Sequence, residues 1–233
     1  MLDPRRRILL DQIGIECWIE RDSNAAGQVA AEDAAAKPHS EQFPTGTDSW
    51  AALRKKVSQC VACELHQARK QTVFGVGSES ASLMIVGEAP GAEEDRRGEP
   101  FVGKAGQLLN AMLAAIGQQR GQVFIANIQK CRPPQNRDPR PEEAAACGGF
   151  LKSQIAHIKP QVILAVGRVA AQNLLHSDTP IGRMRGQDYF YADTTIPVVV
   201  TYHPAYLLRS PGEKRKAWDD LKRVLGLLGE PTA

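Results

Sequence analysis

Residues 83–91 read Leu83-Met84-Ile85-Val86-Gly87-Glu88-Ala89-Pro90-Gly91, four apolar residues running straight into a turn bounded by glycine and proline. A short apolar run without polar alternation is the signature of a strand buried on both faces, as in the parallel sheets of α/β proteins. Comparable runs stand at 123–126, 162–166 and 198–201. Helical periodicity fills the gaps at 105–116, 141–158 and 168–175, and a last amphipathic helix covers 213–228. Strand and helix alternating in this way predict right-handed crossovers, a parallel sheet and helices on both of its faces. Ligands of such sheets bind at the carboxyl ends of the strands, so the loops after Val86, Ala126 and Thr201 are expected on one rim.

Upstream of this core the chain changes character. Ile8, Leu9, Ile13, Ile15 and Trp18 form an amphipathic segment within residues 1–20, whereas 21–48 is rich in Ala, Glu, Asp, Ser, Gly and Pro and reads as a flexible linker. The folded domain is expected over 49–228, opening on Asp48 or Ser49 as a helix N-cap, with 229–233 as a tail. The 233 residues are 42% hydrophobic and 24% charged, with a formal charge of +3, which suits one α/β domain and permits a polyanionic partner only where the charge is clustered. No apolar run is long enough to span a membrane and the amino terminus lacks a signal-peptide core, so the expected compartment is the reducing cytoplasm. Five cysteines in such a chain favour metal ligation or thiol chemistry over disulfides.

The rim loops carry the chemistry. The segment Gly87 to Gly91 matches neither a dinucleotide fingerprint nor a phosphate loop, which removes the usual support for NAD and ATP. Downstream, Gly98-Glu99-Pro100-Phe101-Val102-Gly103-Lys104-Ala105-Gly106 sets an aromatic ring among glycines, as a core residue or as a stacking platform for a planar ligand. Asn127 closes the second strand with a donor and an acceptor side by side, the pair needed to read a nucleobase edge. The following loop, Lys130-Cys131-Arg132-Pro133-Pro134-Gln135-Asn136-Arg137-Asp138-Pro139-Arg140, sets four basic residues against one acid on a proline-stiffened backbone suited to phosphate contacts. The fourth strand leads into His203-Pro204-Ala205-Tyr206-Leu207-Leu208-Arg209, with Lys214, Arg215 and Lys216 extending the cationic surface. Cys60 and Cys63 form one metal knuckle that Cys131 and Cys147 could complete, with zinc and an iron–sulfur cluster both open on spacing; Cys17 reads as a bystander.

Taken in order, G-E-A-P-G, G-E-P-F-V-G-K-A-G, N-x-x-K-C-R-P-P-x-N-R, H-P-A-Y-L-L-R and the four cysteines resemble the bacterial-type family 4 uracil-DNA glycosylases over about residues 50–225. The resemblance implies a three-layer α/β/α sandwich around a four-stranded parallel sheet, and a 4Fe-4S cluster on Cys60, Cys63, Cys131 and Cys147. It implies a monofunctional enzyme acting on uracil in single- or double-stranded DNA, hydrolysing the N-glycosidic bond of a flipped deoxyuridine. Phe101 would stack on uracil, Asn127 would read its N3–H and O4, and His203 would donate to O2. The backbone of Gly87, Glu88 and Ala89 would line the pocket, with a water near Glu88, and Glu94 would stand near C5. Arg132, Asn136, Arg137 and Arg209 would meet DNA, and Leu207 or Leu208 would wedge into the gap left by the flipped base.

Ala89 stands where the related family 1 enzymes carry a water-positioning Asp, so a dissociative reaction is expected. Three other readings are weighed against this one. A non-catalytic DNA-binding module is opposed by the intact Asn127, Phe101 and His203. A relative trapped covalently on DNA would carry a nucleophilic His in an extra loop, and no His lies within 127–156. An electron-transfer protein would explain the cysteines and leave the base-reading rim unexplained. The domain is expected to be monomeric, with Ile13, Ile15 and Trp18 available to dock a repair or replication partner.

Overall fold

A computed structural model describes residues 49–229. The expected segments 1–20 and 21–48, with Cys17 and the docking side chains, lie outside the described residues, as does the end of the tail from 230 onward.

The domain opens with α1, Trp50–Ser58, capped by Ser49, whose hydroxyl accepts from the Ala52 N–H at 3.2 Å. Trp50, Leu53 and Val57 recur at helical spacing and are its buried residues. A single helical turn, α2, follows at Leu65–Ala68. The strands are β1, Val76–Gly77, β2, Leu83–Gly87, β3, Phe124–Asn127, β4, Val162–Val166, and β5, Val198–Thr201, in the sheet order β1-β3-β2-β4-β5. The last four are mutually parallel, and β1 runs antiparallel to β3 at the edge. The sheet therefore has five strands where four were expected. A two-residue edge strand closed by glycine offers no hydrophobic pattern to read.

Both faces of the sheet are apolar, and alternate residues sort between them. Met84, Val86, Phe124, Ala126, Ile163, Ala165, Val198 and Val200 point into one core, which takes in α1, α5 (Pro141–Ile158) and α6 (Arg168–Leu175). Leu83, Ile85, Val123, Ile125, Val162, Leu164, Val166 and Val199 point into the other, against α4 (Lys104–Ala115), α8 (Pro204–Arg209) and α9 (Lys214–Leu228). This period-two sorting is what continuous Val/Ile/Leu runs dictate once helices cover both faces, and it yields the expected three layers.

Shorter helices fill the connections. α3, Ala92–Arg97, opens on Glu93, Glu94 and Asp95, acids that suit the positive end of its dipole, and ends on Gly98 in the left-handed conformation. α7 covers Ile181–Met184, and 3-10 turns occupy Pro134–Asn136 and Pro211–Glu213. Among the described residues no helix is long and apolar enough to cross a membrane. The parallel register sets Gly87 beside Asn127 and Val166 beside Thr201, so the loops after all four parallel strands emerge on one rim.

Candidate active site

Gly87, the last residue of β2, is a closely packed point of that rim. A Cβ there would lie 2.5 Å from Asn127 Oδ1 and 2.6 Å from the Phe101 ring, so only glycine lets these two side chains meet. Asn127 is 2% exposed, and its Oδ1 is buried without a hydrogen-bond partner. Leaving such an acceptor unmet costs on the order of 1–3 kcal/mol, which a ligand N–H would recover. Its main-chain carbonyl is held by the Lys130 ammonium at 2.8 Å, and the same ammonium donates to Gln154 Oε1 at 2.7 Å. Lys130 is 1% exposed, so it does not belong to the phosphate-facing surface expected of its loop; burial lowers its pKa to about 8.

Phe101 supplies the flat wall. Its φ of +53° places a bulky residue in left-handed backbone, a conformation that costs on the order of 1–3 kcal/mol and persists only where the surroundings impose it. Gly106 is part of that surrounding, since a Cβ there would fall 1.8 Å from the Phe101 carbonyl oxygen. Glu94 is another: its Oε1 accepts from the N–H groups of Val102 at 2.9 Å and Gly103 at 3.1 Å. Glu94 was expected to crowd a base at C5. Its Oε1 also braces the Phe101 loop at the start of α4, because the uncapped amides there need an acceptor.

His203 is the N-cap of α8, followed by Pro204 at the first helical position. Its Nδ1 accepts from the Ala205 N–H at 3.1 Å. Burial lowers its pKa to about 4, with Arg209 adding to the effect and Glu94 opposing it. The ring is therefore neutral at pH 7, and with Nδ1 accepting, its proton sits on Nε2 as a donor. The α8 helix also divides the two leucines proposed as wedges. Leu207 is 1% exposed and packs in the core, whereas Leu208 is 43% exposed, so the wedge role cannot fall to Leu207.

Glu88 is partly buried beside the Asp138–Arg168 ion pair. Burial, then the Asp138 carboxylate, raises its pKa to about 7, against the pull of Arg168. The carbonyls of Gly87 and Glu88 accept from the N–H groups of Ile128 and Gln129 at 2.9 and 3.0 Å, which fixes this turn to the continuation of β3. In the basic loop Arg132 donates to Asn136 Oδ1 at 2.7 Å, and Asn136 is exposed. Arg137 forks onto both Glu143 oxygens at 2.8 and 2.6 Å, so its guanidinium braces the loop against α5 rather than standing free for phosphate.

The four cysteines of the domain are free thiols, Cys131 and Cys147 buried, Cys60 and Cys63 partly so. They share one electrostatic neighbourhood. Burial raises Cys63, with Cys60 adding to it; burial raises Cys131, with Cys63 and Cys60 adding; and burial raises Cys147 to about 12, with Cys131 and Cys60 adding. Arg69 Nη1 donates to Cys131 Sγ at 3.0 Å and the Lys130 N–H to Cys147 Sγ at 3.2 Å. Among the described residues no three metal-ligating side chains converge as one ion would require. Thiols that influence one another and accept N–H donors at sulfur are a donor set that a thiophilic metal centre takes.

Gly87, Phe101, Asn127 and His203 thus converge, with Glu88 and Glu94 at the margin. Arg69, Arg168 and the buried role of Lys130 escape sequence reading, since a charged side chain in a loop carries no sign of the partner that folding brings it.

Comparison with known proteins bears on this arrangement. The profile of the Uracil DNA glycosylase superfamily matches residues 74–222. The chain is 44% identical over 182 residues to a Type-4 uracil-DNA glycosylase of Archaeoglobus fulgidus, covering 76% of this chain and 92% of the relative. It is 45% identical over 177 residues to a protein of the same name from Thermotoga maritima, covering 74% and 91%. A Type-4 uracil-DNA glycosylase of Pyrobaculum aerophilum is 42% identical over 180 residues, covering 75% and 92%.

Proposed function

The chain belongs to the uracil-DNA glycosylase superfamily, and from that premise we infer that it excises uracil from DNA, leaving free uracil and an abasic site as the first step of base excision repair. The observation that carries this reading is the buried, unpartnered Asn127 Oδ1 beside the Phe101 ring. A flipped uracil stacked on Phe101 would offer its N3–H to that oxygen and accept at O4 from the Asn127 amide. Cytosine presents the opposite pattern, an acceptor at N3 and a donor at N4, and would leave the buried amide unpaired.

Hydrolysis breaks the C1′–N1 bond, with the electron pair leaving on N1 of uracil. The neutral His203 would donate from Nε2 to uracil O2 and stabilise the anion where its charge develops. Water adds to the oxocarbenium-like C1′, and its proton passes to the Glu88 carboxylate or to solvent. With Ala89 in the first motif in place of a water-positioning Asp, stabilisation of the leaving group outweighs activation of water. Arg132, Asn136 and Arg209 would hold the DNA backbone, and Leu208 would fill the vacated stack.

Cys60, Cys63, Cys131 and Cys147 would hold a 4Fe-4S cluster. When bound, it supplies cationic charge that lets the raised thiols ionise and covalent ties between the chain after α1, the basic loop and α5. Lys130 relates that region to the pocket, its N–H on Cys147 Sγ and its ammonium on the Asn127 carbonyl. Residues 49–229 would act as a monomeric catalytic unit, with residues 1–48 docking a protein partner; normal partner pull-down after deletion of 1–47 would remove the docking role.

The decisive assay incubates the protein with a labelled oligonucleotide containing one uracil, followed by alkali and a denaturing gel. Cleavage at uracil that vanishes in Asn127→Ala is the expected result. A protein–DNA species surviving denaturation would indicate covalent trapping, and intact oligonucleotide throughout would indicate a binding module.

A further inference from the structure

Phe101 is held in left-handed backbone, and the Glu94 and Gly106 contacts around its loop are joined by one more. The remaining contact comes from Arg120, nineteen residues downstream in the turn after α4. Its Nη2 donates to the Pro100 carbonyl and its Nη1 to the Phe101 carbonyl at 3.3 Å, the two successive acceptors that flank the strained residue. Nη1 also reaches Asn110 Oδ1 at 3.3 Å, on α4 itself. We propose that Arg120 is a positioning residue for uracil excision, clamping the Pro100 and Phe101 carbonyls so that the Phe101 ring stays in the base-stacking orientation.

The geometry fits the fork of an arginine. A planar fork presents two N–H donors at a fixed spacing and can meet two successive carbonyls, whereas a lysine ammonium supplies one flexible point of contact. Gly106 also packs against the Phe101 carbonyl, where a Cβ would lie 1.8 Å from the oxygen. Between the two, the peptide has little freedom to flip. Arg120 is itself half-buried with the Glu99 and Glu94 carboxylates near it, and Glu94 holds the Val102 and Gly103 amides of the same loop. Acceptors flanking the ring and donors after it are thus tied by side chains remote from one another in sequence. The expected penalty for losing the clamp is a displacement of the ring, and misplacement of a substrate-positioning group by an ångström can cost on the order of 100-fold in rate.

This inference rests on the reading of Phe101 as the stacking residue, and a double-mutant cycle separates the two. Single-turnover excision from a uracil oligonucleotide is measured for the intact chain, Phe101→Ala, Arg120→Ala, the double variant and Arg120→Lys, with thermal melting of each. Arg120→Ala is expected to lose roughly 10- to 100-fold in rate. The same change in the Phe101→Ala background is expected to lose less than about twofold, since the group it positions is gone. Arg120→Lys should recover part of the loss. Equal losses in both backgrounds would overturn the proposal, because a purely stabilising or phosphate-binding arginine acts whether or not the ring is present. So would intact-chain activity in Arg120→Ala alongside a slow Phe101→Ala. An unimpaired Phe101→Ala would instead overturn the stacking role itself. Should Arg120→Ala fail to fold, Arg120→Lys and Arg120→Gln complete the same cycle.

Discussion

The Phe101 and His203 rings stack on one another, their centroids 5.6 Å apart and their planes inclined by 30°. A planar base inserted face to face between two rings needs about 7 Å, twice the contact distance of carbon atoms. The two rings as they stand therefore leave no room for a base between them. The contact also covers the imidazole, which helps keep it neutral.

That cover is measurable by NMR. His203 is expected to titrate near 4 in the intact protein, and in Phe101→Ala to move up toward its ordinary value of 6.5 as water reaches the ring. Because the folded-state pKa is the lower one, His203 contributes stability that is present above about 6.5 and lost as pH falls toward 4. An unchanged titration in Phe101→Ala would show that the ring does not shield it.

Asn127→Ala should slow single-turnover excision by roughly 100-fold or more, the scale of losing a group that meets the developing anion, whereas Glu88→Gln should cost about tenfold or less. Equal or reversed losses would argue for water activation as the main contribution.

The Glu88 carboxyl, raised to about 7 by burial and Asp138, should give the rate an acid limb near that pH that disappears in Glu88→Gln. Arg168→Ala leaves Asp138 unpaired beside it and should shift the limb upward, less so at high salt. Stability follows the opposite sign. The folded protein binds the Glu88 proton more tightly than the unfolded chain, so stability declines as pH rises from about 4.5 to about 7. Glu88→Gln should accordingly melt higher than the intact protein at pH 8, the difference closing toward pH 4.5.

Gly87→Ala drives a methyl into both Asn127 Oδ1 and the Phe101 ring. Loss of excision by roughly 100-fold or more is expected, with DNA affinity retained, as read by a gel-shift on uracil-free oligonucleotide. Near-normal excision would mean the pocket can reshape itself around the extra carbon.

Protein purified without oxygen should contain iron and acid-labile sulfide in stoichiometric amounts, and Cys147→Ser should lower both. Removal of the metal should weaken binding to uracil-free DNA by loosening the basic loop. Stoichiometric zinc without sulfide would instead assign these thiols to a single-ion site.

The layers of this domain were legible in the chain because parallel strands buried on both faces need uninterrupted apolar runs, and 83–86, 123–126, 162–166 and 198–201 supply them. The placement of Phe101, Asn127 and His203 on one rim was legible for a related reason: each sits in a short segment of glycine, proline or strand-end residues whose backbone needs are local. Three-dimensional structure decided what depends on partners distant in sequence. Glu94 is a brace of its loop because folding aims Val102 and Gly103 at it, and Arg137 was taken up by Glu143. Leu207 and Leu208 are neighbours in sequence, and only the phase of α8 against the core separates the buried one from the exposed one. Local propensity and hydrophobic period are properties of the chain itself, whereas the partner of a charged side chain and the face a short helix turns inward exist only once the layers have packed.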